Sequence, residues 1–121
     1  MSKIISFQAY LPLGLILGEH EEIAGAIGID QVDPEGNGRA AGIQVGDVLR
    51  AVTACQVTME APTWQLLAGG IGQPKTKRLM FTTDGVPLEQ AIQAISSNRM
   101  DPEQRPMWLV LERLVENDNR I

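Results

Sequence analysis

Short apolar runs separated by glycine, proline and acidic residues fill the first half of the chain, and this spacing predicts strands joined by tight loops. Ile4 to Ala9 alternates loosely and is rich in strand formers. Pro12 and Gly14 interrupt it before Leu15-Ile16-Leu17, so the segment reads as strand, tight loop, strand. After an acidic turn at residues 19–22, Ala26 to Val32 alternates again and stops at Asp33-Pro34-Glu35-Gly36-Asn37-Gly38, a loop. Arg39-Ala40-Ala41 supports one helical turn. Gly42 suits the left-handed position just past its end, and Ile43 plugs the core beneath it. Gly46-Asp47 is a turn, and Val48 to Val52 a further strand.

The second half begins less regularly. Ala61-Pro62-Thr63 can start a short helix through Trp64, Leu66 and Leu67 that Gly69-Gly70 ends, and Gly72 to Lys77 reads as an exposed loop. Arg78 to Thr82 is a short strand, and Asp84-Gly85 turns out of it. The clearest helix follows: Leu88, Ala91, Ile92 and Ile95 fall at i, i+3, i+4 and i+7, with Glu89, Gln90, Gln93 and Ser96 on the other side. Pro87 is tolerated in its first turn, where the missing N–H is not needed. Asn98 to Arg105 reads as a polar linker and Met107 to Glu112 as a closing strand with Leu109 and Leu111 on one face. Residues 115–121 make a polar, flexible tail.

A length of 121 residues suits one domain, and 44% hydrophobic with 21% charged residues is close to the globular average. Fifteen acidic against ten basic residues give a net charge of −5, which disfavours a surface that works by neutralising phosphates, so nucleic acid is not an expected partner. No apolar run is long enough for a membrane-spanning helix, while peripheral contact with a membrane stays open. Lys3, the apolar stretch to Leu17 and Ala24-Gly25-Ala26 imitate a secretory signal. Ser6, Gln8, Pro12, Gly14 and the acidic residues before the supposed cleavage site make two strands around a turn the better reading.

Candidate chemistry is sparse. One cysteine, Cys55, and one histidine, His20, cannot assemble a thiolate or imidazole metal cluster, so no metal or other cofactor is expected. Gly36-Asn37-Gly38-Arg39-Ala40-Ala41-Gly42 misses the dinucleotide fingerprint because its third glycine comes one place late. Neither a phosphate loop near Lys75-Thr76-Lys77 nor a nucleophile elbow around Ser96 or Ser97 is complete, and no enzymatic activity is expected. His20 among Glu19, Glu21 and Glu22 reads as part of a solvated acidic turn. Lys75, Lys77 and Arg78 form the one basic cluster, either a soluble loop or a contact to an acidic partner or lipid headgroup.

Pro12-Leu13-Gly14-Leu15 resembles the Gly-Leu-Gly-Phe carboxylate-binding loop of PDZ domains. Ala41-Gly42-Ile43-Gln44-Val45-Gly46-Asp47-Val48-Leu49 is similar to that family's most recognisable block almost residue for residue. The resemblance covers residues 4–53 and 78–113, with 54–77 as an insertion. It implies an α+β, mainly β fold: a small, partly open β-barrel or sandwich of five to six strands capped by one short and one longer helix. On this reading residues 1–114 form a single PDZ-like domain. The insert with Pro62-Thr63-Trp64 and the Thr82-Thr83-Asp84-Gly85 turn are similar to modules of plastid proteins in algae and plants that act at thylakoids in photosystem II assembly or repair, which implies a reducing intracellular setting, the stroma or thylakoid surface of a chloroplast.

The function the resemblance implies is protein–protein interaction. Successive backbone N–H groups at Leu13, Gly14 and Leu15 make an anion nest for a C-terminal carboxylate, and Pro12 contributes none. An extended peptide with a hydrophobic C-terminus adds to the strand Leu15-Ile16-Leu17, with Leu88, Ala91, Ile92 and Ile95 on the opposite wall. Of that helix only Leu88 and Ile92 are expected to line the groove. Leu88 stands where many members carry a histidine, which implies a hydrophobic rather than hydroxyl residue two places before the ligand's end. Pro12 in place of the first glycine, and Gln8 where a basic residue often supports the carboxylate, depart from the family pattern. Two other readings stand beside this one: a scaffold domain docking through Trp64, Leu66 and Leu67 of the insertion, with Lys75, Lys77 and Arg78 nearby, and a regulatory module of a protease. A monomer is expected, with weak self-association through Arg120-Ile121 as the alternative.

Overall fold

Met107, Leu109 and Leu111 alternate with Trp108, Val110 and Glu112, and a strand's two-residue period puts the first three on one face. All three are fully buried. The structure of the chain, a computed structural model, describes residues 2–60 and 73–114. In it this segment is the last of six antiparallel strands in one open sheet: β1 Ser2–Ala9, β2 Leu15–Glu19, β3 Ile27–Val32, β4 Val48–Glu60, β5 Gln73–Thr82 and β6 Met107–Leu114. Their order is β1-β6-β4-β3-β2, and β5 takes up the pairing on β4 from Ala51 onward, where β3 has left off. Among the described residues two α-helices accompany the sheet, α1 at Asn37–Ala41 and α2 at Leu88–Ser96. The mainly β expectation therefore holds, with strands in a single sheet.

The core lies between the sheet and the helices. Ile27 and Ile29 of β3, Ile43 after α1, Leu49 and Val52 of β4, and Met107, Leu109 and Leu111 of β6 are at most 3% exposed. Ala91 and Ala94 of α2 pack against them. Gly42 ends α1 at φ +107°, in the left-handed region that a side chain resists, and its N–H donates to the carbonyls of Gly38 and Arg39. Asp47, buried in the turn before β4, accepts from the N–H of Gln44 and from the Arg113 guanidinium, which also donates to the Gly42 carbonyl and lies over the Phe7 ring. This pair ties the α1–β4 connection to β6.

Three stretches differ from the sequence reading. Residues 54–60 and 73–77, expected as an irregular insertion ending in an exposed loop, continue β4 and β5 as one long hairpin paired from Ala51–Thr82 to Glu60–Gln73. Thr53, Thr58 and Val57 are strand formers that cross-strand pairing recruits despite the looser pattern. The Asn98–Arg105 linker is a 3₁₀ turn, Ser97–Met100, followed by a compact polar knot rather than an open connection. Asn98 is buried and its amide donates to the carbonyls of Thr53, Ala94 and Ile95, stapling the end of α2 to β4. Asp101, 1% exposed, accepts from the N–H groups of Glu103 and Arg105 and from the Arg105 guanidinium. Arg105 foremost, against the cost of burial, holds this carboxyl at about 2, well below the usual range. Thirdly, the face of α2 that borders the cleft starts one turn later than expected, at Ile92.

Candidate functional site

Residues 10–14 connect β1 to β2, with Pro12-Leu13-Gly14 leading into Leu15, and their carbonyl groups are anchored by the loop after β3 and the start of α1. The Gly38 N–H donates to the Leu13 carbonyl at 2.8 Å, the Asp33 N–H to the Gly14 carbonyl at 2.7 Å, and the Asn37 amide to the Tyr10 carbonyl at 2.9 Å. Bare backbone at Gly38 makes this approach possible: a Cβ there would lie 2.9 Å from the Leu13 oxygen and 2.8 Å from a Leu15 methyl. Gly14 itself sits at φ +69°. With the carbonyls engaged on one side, the N–H groups of Leu13 and Gly14 have no acceptor among the described residues.

These residues form one end of a cleft of about 730 Å³ between β2 and the C-terminal half of α2. β2 is the end strand of the sheet, so its outer edge has no strand partner among the described residues. Leu15, Ile16 and Leu17 line one wall, and Ile92, Ile95, Ser96 and Arg99 the other. That second wall repeats at i, i+3, i+4 and i+7, a helical ridge that starts one turn later than the stripe read from the sequence. Ile16 is 54% and Ile92 45% exposed, while Leu15, Leu17 and Ile95 are half-buried.

Of the expected groove residues, Ile16, Leu17, Ile92 and Ile95 line the cleft, while Leu88, one turn before Ile92, and the buried Ala91 do not. Ala91 is fully buried and Leu88 packs against the core, because Ala94, which the sequence reading passed over, shares the core face with Ala91 and Leu88. Leu88 is half-buried on the first turn of α2. Arg99 and Ser96 are the wall residues that the sequence reading missed. Sliding the helical template forward by one turn would have found them. Gln8, on β1, is exposed and does not line the cleft.

A second cleft, of about 700 Å³, lies at the far end of β2 and is lined by Glu19, Glu21, Glu22 and Asp30. Arg113 also borders it, with its charge already met by Asp47. His20 organises the turn: its Nδ1 accepts the N–H groups of Glu22 and Ile23, each at 3.2 Å, and Nε2 faces the Gly46 carbonyl at 3.2 Å. Backbone N–H groups only donate and a carbonyl only accepts, so these partners place the ring proton on Nε2.

Other candidates resolve differently. Lys77 and Arg78 lie on β5 rather than in a loop; Lys77 is exposed, but Arg78 folds onto the protein, donating to the Pro106 carbonyl at 2.7 Å. Lys75 belongs to β5 as well, while Trp64 and Leu67 lie outside the described residues. Burial, with the Asp101 charge beside it, pushes the Cys55 thiol up. Among the described residues no three His, Cys, Asp or Glu side chains are grouped to hold a metal ion, and no helix is long and apolar enough to cross a membrane. No protein-family model, curated protein or solved structure matches the chain.

Proposed function

We propose that this chain is a non-enzymatic, PDZ-like peptide-binding module that takes an extended, apolar C-terminal segment of another protein into the cleft between β2 and α2. The observation that carries this reading is the coincidence of a sheet edge without a partner, an apolar helical wall across from it, and a loop at their shared end whose carbonyls are engaged while two N–H groups are not. Main-chain hydrogen bonds to β2 give affinity that is indifferent to sequence, and contacts with Leu15, Leu17, Ile92 and Ile95 select apolar side chains. β2 begins at the loop, so a ligand whose terminus sits at the loop runs antiparallel to β2. Its upstream residues then pass Glu19 and the acidic turn, where basic side chains gain about 1 kcal/mol or less.

Selection from a library of random C-terminal peptides tests the proposal. Enrichment of apolar termini, lost when the library is displayed with a blocked carboxyl end, is the expected result. A folded protein that selects nothing refutes it. A second reading draws on the β4–β5 hairpin, which continues beyond the last β4–β6 pair at Val52–Leu109: a scaffold that docks through that hairpin. In that case partners bind with the cleft blocked and are lost on shortening the hairpin.

A further inference from the structure

The cleft between β2 and α2 has two charged residues among those that line it, Asp33 and Arg99. Asp33 is occupied locally: its Oδ1 accepts the Glu35 N–H at 2.9 Å, closing its own turn. Arg99 is exposed and takes part in no hydrogen bond or ion pair among the described residues. Arg50 pairs with Asp84 and Glu112, Arg78 donates to the Pro106 carbonyl, Arg105 pairs with Asp101 and Arg113 with Asp47, while Arg39, exposed on α1, does not line this cleft.

Its place in the fold indicates which end of a ligand it meets. Arg99 sits on the 3₁₀ turn that follows α2, and the neighbouring Asn98 shares a small pocket with Tyr10 and Leu11, the residues that lead into the loop. The turn therefore abuts the loop end of the cleft, where the Leu13 and Gly14 N–H groups have no acceptor. Two backbone donors without an acceptor and one guanidinium thus belong to residues that line the same cleft. The guanidinium fork matches a carboxylate, and low-polarity walls strengthen the attraction.

Resting on the peptide reading above, we infer that Arg99 is the specificity-determining residue that pairs with the terminal carboxylate of the bound peptide, from the helix side of the cleft, in the absence of a basic residue on the loop side. Arg99 selects a free carboxylate over a neutral end, and the loop donors fix where it sits. Removing the guanidinium weakens binding of carboxylate-ended ligands and leaves neutral-ended ones as they were.

The test uses the full chain and an equimolar pool of hexapeptides ending in Val, Leu or Ile, prepared once with free carboxylates and once amidated. Affinities are read from backbone amide shifts for the wild type, Arg99→Gln and Arg99→Lys. The free-carboxylate pool is expected to bind Arg99→Gln about five- to tenfold more weakly than wild type, with Arg99→Lys in between. The amidated pool should bind all three equally. Raising salt should weaken the wild type and spare Arg99→Gln. Equal weakening of both pools in Arg99→Gln, or no change in either, overturns the role of Arg99 while leaving a peptide cleft standing. A wild-type protein that binds neither pool overturns the peptide reading and this inference with it.

Discussion

Replacing Ile92 by alanine separates a ligand contact from a core contact. Ile92 is 45% exposed and stands on the cleft flank of α2, while Ala91 beside it is fully buried. An isoleucine presents about 180 Å² in an extended chain, so about 80 Å² remains open here, worth about 2 kcal/mol at about 25 cal/mol per Å² if a ligand covers all of it. Alanine keeps Cβ and a peptide covers part of the rest, which leaves an expected loss of about 1–1.5 kcal/mol, or about five- to twelvefold in affinity. The carbons removed already stand half in water and open no internal cavity, so folding stability should fall by less than about 1 kcal/mol. Isothermal titration with a selected peptide reads the first quantity, and urea denaturation the second. Gln93→Ala, exposed on the opposite flank, is the control. Unchanged affinity in Ile92→Ala, or an equal loss in Gln93→Ala, refutes the placement of the ligand.

Gly14→Ala forces a side chain into a φ of +69° with its Cβ 3.0 Å from both the Asp33 Cβ and the Gly36 Cα, and should cost about 1–2 kcal/mol of stability by chemical denaturation while abolishing peptide binding. Thr83→Val keeps the shape of a fully buried residue but removes the hydroxyl that donates to the Leu49 carbonyl at 2.8 Å, and should destabilise by about 1–1.5 kcal/mol; a neutral outcome would mean that this bond contributes nothing. Asp101 has a folded-state pKa lowered from 3.8 to about 2, so the stability it adds is fully present above the unfolded value and is lost as pH falls through that window. Urea midpoints followed between pH 5 and pH 2 (about the span of both values) should drop in the wild type and fall less steeply in Asp101→Asn; parallel curves would contradict the assignment.

Much of the scaffold was legible because it rests on local chemistry. Alternation in Met107 to Glu112 names the buried face, Gly42 marks the end of α1, and Pro12 and Gly14 mark the connection between the first two strands. The β4–β5 hairpin was read short, because Thr, Gln and Lys positions become strand only when a partner strand supplies the pairing, and pairing across many residues is not visible in a local window. Asn98 and Asp101 look like linker residues in sequence; each is buried because the backbone around it offers several partners at once. The site was half legible. Its loop and the strand Leu15-Ile16-Leu17 follow from Pro12, Gly14 and the strand formers after them, whereas the helix wall depends on how far along α2 the cleft extends, with Ala91 and Ala94 packed in the core beside it. Gly36 and Gly38 had no role assigned by motif comparison; that Gly38 donates to the Leu13 carbonyl, and that Gly36 leaves room for it, emerges only in three dimensions.

Backbone amide shifts followed while pooled apolar C-terminal peptides are added, first with free carboxylates and then with amidated ends, test the central claim most directly. Carboxylate-dependent shifts at Leu13, Gly14 and Leu15, joined by Ile92, Ile95 and Arg99, are the predicted result. Shifts confined to the β4–β5 hairpin, or the same pattern with either kind of terminus, would contradict it.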